Sequence, residues 1–410
     1  MSNVLKHVII GSGAAGISAA KTLRERSESD EIVIISADDA VYSRCMLHKY
    51  ISGERDVCGL SFIPENFFEH NKIKFCSGVC VTGIDVAGKS VMYEGGSESY
   101  DRLLIASGAV SKFPPVEGLS GTGNVYGLRD LSDAEAIREC AGLKNNIVII
   151  GAGLVGLDAA YGLLEMGKKA VFVEMTDSIL SANLDAHAAK VYLEKFTEAG
   201  CEFRLGARAS KILSDDSGNV KTVVLDSGEL LQCDLLIVAA GVSPATELLA
   251  GSGIRTERGV TVNGFLATSA DDVYAAGDIT GLSESWPNAV LQGEIAALNM
   301  LGITTEYSDN FSLMNTINFF GIPSLSVGRF IPDDYDDVDV REDKKRYQKI
   351  IVKDGVPVGV ILQGDISRSG FWQYLIKNKI DIAGVQKMIW NVSFADSYGI
   401  DENGEYKWVV

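Results

Sequence analysis

Apolar runs that end abruptly in glycine set the rhythm of this chain. His7-Val8-Ile9-Ile10 leads into Gly11-Ser12-Gly13-Ala14-Ala15-Gly16, and Ile147-Val148-Ile149-Ile150 leads into Gly151-Ala152-Gly153-Leu154-Val155-Gly156. An unbroken apolar run of this length reads as a strand buried on both faces, the kind found in parallel sheets. The first glycine group opens a helix predicted to reach about Arg26, and Glu31 to Ile35 is the next strand. The second opens a helix to about Met166, Gly167 breaks it, and Lys169 to Val173 is the matching strand. Strand, glycine turn, helix and strand therefore occur twice, a duplication on the scale of a domain.

Three further strands end in small residues: Leu103-Leu104-Ile105-Ala106-Ser107-Gly108, Leu235 to Gly241, and Val273-Tyr274-Ala275-Ala276-Gly277-Asp278. Small residues there let a ligand lie across the carboxyl ends of a sheet. From about Phe311 the pattern changes to alternating strands, Tyr347 to Val352 and Val358 to Leu362, joined near Asp354-Gly355 as a hairpin. A helix from about Arg368 to Lys379 places Phe371, Leu375 and Ile376 at helical spacing, so a third, antiparallel domain is expected.

Each G-x-G-x-x-G group sits where a strand turns into a helix, and that context makes the pattern specific. The first glycine permits the tight turn, the second lets main-chain N–H groups approach a pyrophosphate, and the third allows close helix–strand packing. Two bound dinucleotides are expected.

The 410 residues allow two or three domains, and 46% hydrophobic with 22% charged residues is ordinary for a globular protein. A formal net charge of −18 argues against a nucleic-acid or lipid-surface binder, because an acidic surface repels phosphates. With no leader pattern and no apolar run near the roughly 18 residues of a membrane span, a cytoplasmic protein is expected. The seven cysteines, Cys45, Cys58, Cys76, Cys80, Cys140, Cys201 and Cys233, are scattered without a CxxC pair, so neither a disulfide framework nor a built-in iron–sulfur cluster is expected. Cys76 and Cys80, read as lying along one strand, would stand about 13 Å apart, too far to bond. His7, His48, His70 and His187 show no ligand spacing, and no metal site is expected. The acidic stretch Asp333-Asp334-Tyr335-Asp336-Asp337 reads as a solvated loop, with a docking patch as the alternative. Trp390, Phe394, Tyr398, Tyr406 and Trp408 read as a tail packed on the body or a twin subunit, with a partner anchor as the alternative.

Taken in order, these parts resemble the FAD/NAD pyridine nucleotide-disulfide oxidoreductase superfamily, the two-dinucleotide flavin enzymes related to glutathione reductase. The resemblance implies an α/β fold: two Rossmann-like dinucleotide-binding domains plus a small α+β C-terminal domain. Residues 1–112 with 242–310 would form an FAD-binding domain interrupted in sequence, 113–241 an NAD-binding domain, and 311–410 the C-terminal domain. By resemblance the first fingerprint (Gly11, Gly13, Ala14, Ala15, Gly16) holds FAD, and the second (Gly151, Gly153, Leu154, Val155) holds NADH or NAD+. Ala106-Ser107-Gly108 is similar to the family's Ala-Thr-Gly element, Gly241-Val242-Ser243-Pro244 to its return crossover, and Gly277-Asp278 to the motif whose carboxylate meets the FAD ribitol. An acid about twenty positions past a fingerprint accepts the ribose hydroxyls. Glu174 stands there in the second unit and would repel the extra phosphate of NADPH. In the first unit the place is taken by Ser36, with Ala37 and Asp38 behind it.

The block Tyr42-Ser43-Arg44-Cys45-Met46-Leu47-His48-Lys49-Tyr50-Ile51 reads two ways. It resembles the stretch of rubredoxin and ferredoxin reductases that puts Lys49 beside flavin N5, with Asp158 in the place of the glutamate that pairs with that lysine; Arg44 joins the FAD contacts. It also resembles coenzyme A-disulfide reductases and NADH oxidases or peroxidases, whose single active cysteine falls on Cys45, a thiol that Arg44 or Lys49 could activate. His48 reads equally as a proton relay and as packing. Trp286-Pro287-Asn288-Ala289 and Gln292-Gly293 are similar to the rubredoxin reductase and nitrite reductase large-subunit branch, where the helix end, through Asn288 and Ala289, faces the flavin. The leading expectation is an FAD-dependent NADH oxidoreductase exchanging electrons with a small iron–sulfur carrier, rubredoxin or ferredoxin-like, as a homodimer or in a complex with an iron–sulfur subunit. A flavoprotein subunit for redox sensing or assembly is the non-enzymatic alternative.

Overall fold

The computed structural model describes residues 4–308, 314–384, 386–391 and 398–408. These group into two compact units: Met1–Ile150, Asp158–Ala170 and Ala209–Ser312 in the first, and Gly151–Leu157, Val171–Arg208 and Leu313–Val410 in the second.

The first unit is organised around a five-stranded parallel sheet in the order Val273–Ala275, Arg102–Ile105, Lys6–Ile10, Glu31–Ile35, Ile73–Cys76. Its apolar runs fill both faces. Ile9, Ile32, Ile34 and Leu104 enter one core, while Val8, Ile10, Val33, Ile35, Leu103 and Ile105 enter the other. Each such side chain, withdrawn fully from water, contributes about 1.5–3 kcal/mol before its entropy is charged against it. On the first face the helices Ala14–Arg26 and Trp286–Met300 lie so close that a Cβ on Gly293 would meet the Ala15 carbonyl oxygen at 2.2 Å. The same unit holds the parallel trio Val125–Tyr126, Leu235–Val238 and Ile147–Ile150, two small three-stranded antiparallel sheets, and the pair Ala109–Ser111 with Val242–Pro244.

In the second unit Ala170–Glu174 pairs in parallel with Glu202–Leu205, and Met314–Gln363 builds a five-stranded antiparallel sheet. Its hairpin turns at Asp354 (φ +50°) and Gly355 (φ +80°), as the Asp-Gly pair predicts. The helix Ala186–Glu198 is fastened to this sheet by polar groups with mates. Tyr192 Oη bonds Ser324 Oγ at 2.7 Å and Ile322 O at 2.6 Å, and Gln363 Nε2 donates to Ala188 O at 3.0 Å. Asp185, the cap of that helix, accepts from Lys349 Nζ at 2.9 Å and Tyr347 Oη at 2.8 Å.

Two expectations rest on premises the fold changes. Cys76 ends its strand and a turn at Gly78 (φ +65°) intervenes, so Cys80 does not continue along it; both are free thiols. The acidic stretch is mostly solvated, but Arg329 gathers Asp333 and Asp336. In the tail Trp390 packs on Trp372 with ring centres 5.0 Å apart and donates to Asp339 at 2.9 Å. Phe394 lies outside the described residues. Tyr398–Ile400 and Tyr406–Trp408 form a two-stranded ribbon. Among the described residues no helix is long and apolar enough to cross a membrane, and no group of His, Cys, Asp and Glu could hold a metal.

Candidate functional site

A cavity of about 570 Å³ opens at the carboxyl ends of the first unit's parallel strands. Its floor is the first fingerprint. Gly11, at φ +103°, turns the chain beneath Ala106, where a Cβ would meet the Ala106 oxygen at 2.3 Å. Gly16 is pressed equally hard, its missing Cβ only 2.0 Å from the Gly11 oxygen. Gly13 differs: nothing stands within 4 Å of the position its Cβ would take. Two glycines thus serve packing, and the third leaves open room above the main chain at a helix N-terminus.

Around this floor the structure gathers Ala14, Ala15, Ser36, Ala37, Asp38, Arg44, Cys45, Ala106, Ser107, Gly108, Gly277, Asp278 and Ala289 from the residues named by sequence. Gln292, fully buried, fixes the Gly277 turn by accepting from its N–H at 2.8 Å. Asn288 is buried in a bond to Ser283 Oγ at 2.9 Å and does not line the cavity. Gly241, at φ +93°, starts the Val242–Pro244 strand outside it. Ser36 Oγ meets Ser12 Oγ at 2.8 Å and accepts from Asp38 N at 3.2 Å, so it holds the loop that presents Asp38.

Two cations serve this wall. Arg44 Nη2 binds Asp38 Oδ2 at 2.6 Å, Tyr42 Oη donates to Asp38 Oδ1 at 2.7 Å, and burial drives the Tyr42 hydroxyl far above its ordinary range. Arg129, which sequence reasoning missed, reaches Asp278 Oδ2 at 2.6 Å and the Ala109 carbonyl at 3.0 Å. The local signal for it was a helix cap: Asp130 accepts from Asp133 N at 3.0 Å, while Asp133 accepts from Arg129 N at 2.8 Å. Tyr42, Cys80, Phe113 and Glu284 also line the wall, though the sequence reading assigned none of them to the site.

Cys45 lines the cavity too and is exposed to it. The protein packed around it still disfavours the thiolate and pushes the thiol pKa up, with Asp158 and Asp278 adding to this against Arg129. The activating cations expected from sequence are engaged elsewhere, Arg44 on Asp38 and Lys49 on Glu54 at 2.5 Å. Lys49 lies outside the cavity lining, 5.8 Å from the centre of the Tyr161 ring, and its near carboxylate is Glu54 rather than Asp158. Asp158 stands instead 3.7 Å from His48 Nδ1.

In the second unit Gly151 takes φ +99°, and Gly153, like Gly13, has nothing within 4 Å of a Cβ position. Leu154 and Val155 begin the helix behind it. Glu174 is fixed against this loop: Oε2 accepts from Ala152 N at 2.8 Å, and Oε1 from Thr176 N at 2.8 Å and Thr176 Oγ1 at 2.9 Å. A carboxylate so held is a preset acceptor for a diol.

Residues 5–293 match the family described as pyridine nucleotide-disulphide oxidoreductase, and residues 314–380 match the rubredoxin NAD+ reductase C-terminal domain. The NADH-dependent phenylglyoxylate dehydrogenase subunit epsilon of Aromatoleum evansii is 30% identical, over 92% of this chain and 92% of that one. The rubredoxin-NAD(+) reductase of Ectopseudomonas oleovorans is 30% identical over 73% of this chain and 80% of its own. Among solved structures, the ferredoxin reductase for the CYP199A2 system from Rhodopseudomonas palustris superposes with a TM-score of 0.80 at 26% identity, covering 89% of this chain and 93% of that one.

Proposed function

Since this chain belongs to the pyridine nucleotide-disulphide oxidoreductase family, we propose that it is an FAD-dependent NADH oxidoreductase that passes electrons to a small iron–sulfur carrier protein. The observation that carries this reading is the cavity itself, where a fingerprint loop, two arginines and a helix N-terminus converge on the carboxyl ends of a parallel sheet. The donor set suits FAD. Main-chain N–H groups above Gly13 and the cations of Arg44 and Arg129 suit a pyrophosphate, and Asp38 and Asp278 are acceptors for sugar and ribitol hydroxyls. The end of the helix at Trp286 and Ala289 would stabilise negative charge on a reduced ring. FAD held there would supply a two-electron acceptor for hydride that can give its electrons up singly. Gly151, Gly153, Leu154, Val155 and Glu174 would hold NADH.

The three-part division, 1–112 with 242–310, 113–241 and 311–410, is our assignment of FAD, NAD and C-terminal roles. Lys49 belongs to the same reading as a cation near the cavity, steered by Glu54. A cytoplasmic location, and work as a homodimer or within a complex, complete the proposal; the complex is favoured by a relative that is by name a subunit of an NADH-dependent dehydrogenase.

Cys45 fits the carrier reading better than a thiol mechanism, because the two cations that could activate it are paired with Asp38 and Glu54 and its pKa is raised rather than lowered. The test is direct. The purified protein should be yellow, bleach anaerobically with NADH, and reduce rubredoxin or ferredoxin in preference to coenzyme A disulfide or oxygen. A colourless polypeptide that takes up no flavin overturns the reading.

A further inference from the structure

Behind Cys45, the helix Leu47–Ile51 carries His48 against the helix Leu154–Glu165. The approach is close because of Gly162, where a Cβ would meet the His48 carbonyl oxygen at 2.5 Å. His48 Nδ1 is buried, has no hydrogen-bond partner, and lies 3.7 Å from Asp158 Oδ1. The neighbouring cation Lys49 is paired with Glu54 at 2.5 Å and acts on His48 and Asp158 only through its charge. A ring nitrogen in want of a donor thus faces a carboxyl in want of a cation, and one shared proton answers both.

We propose that His48 and Asp158 form a proton-sharing pair behind the cavity wall, which takes up the proton released when reduced flavin gives its electrons to one-electron carriers. The inference rests on the flavin reading above. A hydride brings two electrons and one proton to the flavin; two carriers then remove one electron each. The proton released from reduced flavin would pass through intervening water, form an O–H bond on the Asp158 carboxylate and leave from there to solvent. The Asp158 side chain keeps 29% exposure, a route for that exit, although the protein packed around it still penalises its charge.

The surroundings suit the task. Burial pushes Asp158 up to about 7, against the pull of Lys49, while burial and then Lys49 push His48 down to about 4. Near neutrality His48 is therefore neutral and the Asp158 carboxyl exchanges between its ionised form, which can accept a proton, and its protonated form, which can donate to Nδ1; a general base works best with its pKa near the operating pH. On the segment of His48, Glu54 and the Cys45 main chain favour its protonated form and Arg55 opposes it. On the helix packed across from it, Glu135 and Arg138 engage Tyr50 instead. Both residues act through the wall rather than by touching the cofactor, so they are positioning residues.

The test follows the imidazole and the flavin separately. In protein with 15N-labelled histidine, the His48 Nδ1 resonance should shift with a midpoint near 7, set by the carboxyl, and Asp158→Asn should abolish that shift. The flavin midpoint potential should change slope in the same pH range in the unaltered protein and lose the break in Asp158→Asn and in His48→Gln. An unshifted Nδ1 resonance, or a break that persists in both variants with FAD content intact, overturns the proposal. A protein that binds no flavin instead defeats the reading beneath it, and the Nδ1 titration of the flavin-free chain still decides whether the pair shares a proton.

Discussion

Arg129 and Asp278 meet at 2.6 Å, one just before a helix and the other just after the last strand of the parallel sheet. Each is partly shielded from water, with side-chain exposures of 22% and 14%. Arg129 also donates to the Ala109 carbonyl, so one guanidinium ties the walls of the cavity together. Arg129→Ala leaves Asp278 without its cation and costs about 1–3 kcal/mol at that group. FAD affinity should fall about tenfold to a hundredfold. Arg129→Lys should recover only part of it, because an ammonium cannot hold both oxygens in the planar geometry of a guanidinium. Fluorescence titration of released flavin checks both.

Glycines of the two fingerprints should separate folding from binding. Gly16→Ala forces a Cβ to within 2.0 Å of main-chain oxygen, and an overpacked site of this kind costs about 1–3 kcal/mol or more. Thermal unfolding should show the loss. Gly153→Ala meets nothing within 4 Å, so that variant should fold and stay yellow while its KM for NADH rises about tenfold or more, as the methyl group takes the room a pyrophosphate needs. Stopped-flow bleaching by NADH distinguishes the two.

Glu174 is held by three donors before any nucleotide arrives. Glu174→Ala should weaken NADH by about 1.5–3 kcal/mol, the usual worth of a hydrogen bond to a charged group, and narrow the preference over NADPH. The ratio of kcat/KM for the two nucleotides reads this out.

Cys45→Ser should leave carrier reduction within about threefold of the unaltered protein, since a thiol whose pKa is raised is not the nucleophile. Loss of turnover with FAD still bound would move the assignment to thiol chemistry.

Acid should loosen the second unit through Asp185. Lys349, Tyr347 and the Ala188 N–H hold its carboxyl below the usual carboxylate range against burial, which works the other way. A depressed folded pKa contributes stability that is full above the unfolded value of about 3.9 and fades as pH falls through the lower folded value. Melting temperature should therefore drop more steeply below about pH 4 in the unaltered protein than in Asp185→Asn, which has already lost the contribution.

What the chain discloses by itself is governed by the range of the interactions. Strands such as Glu31–Ile35 coincide with their predicted bounds, because burial on both faces writes itself into consecutive residues. The hairpin at Asp354-Gly355 was legible for the same reason, the turn being chosen by two adjacent residues. The cavity floor was legible because glycine spacing is local. Arg129 was not, since its partner lies 149 positions away. Nor was the choice of Lys49 for Glu54, which depends on a short loop, or that of Asp158 for His48, which depends on how closely Gly162 lets two helices approach.

The contact of Gly293 with Ala15 bears on the order in which this protein can be made. The helix that covers the sheet, and the edge strand Val273–Ala275 before it, leave the ribosome only after the whole intervening stretch has been synthesised. The nascent amino-terminal segment must therefore wait with one side of its sheet covered only by the helix Ala14–Arg26, a window in which chaperones or early flavin capture would have most to offer. A truncated product ending before that helix should be insoluble even though its glycine turn is complete.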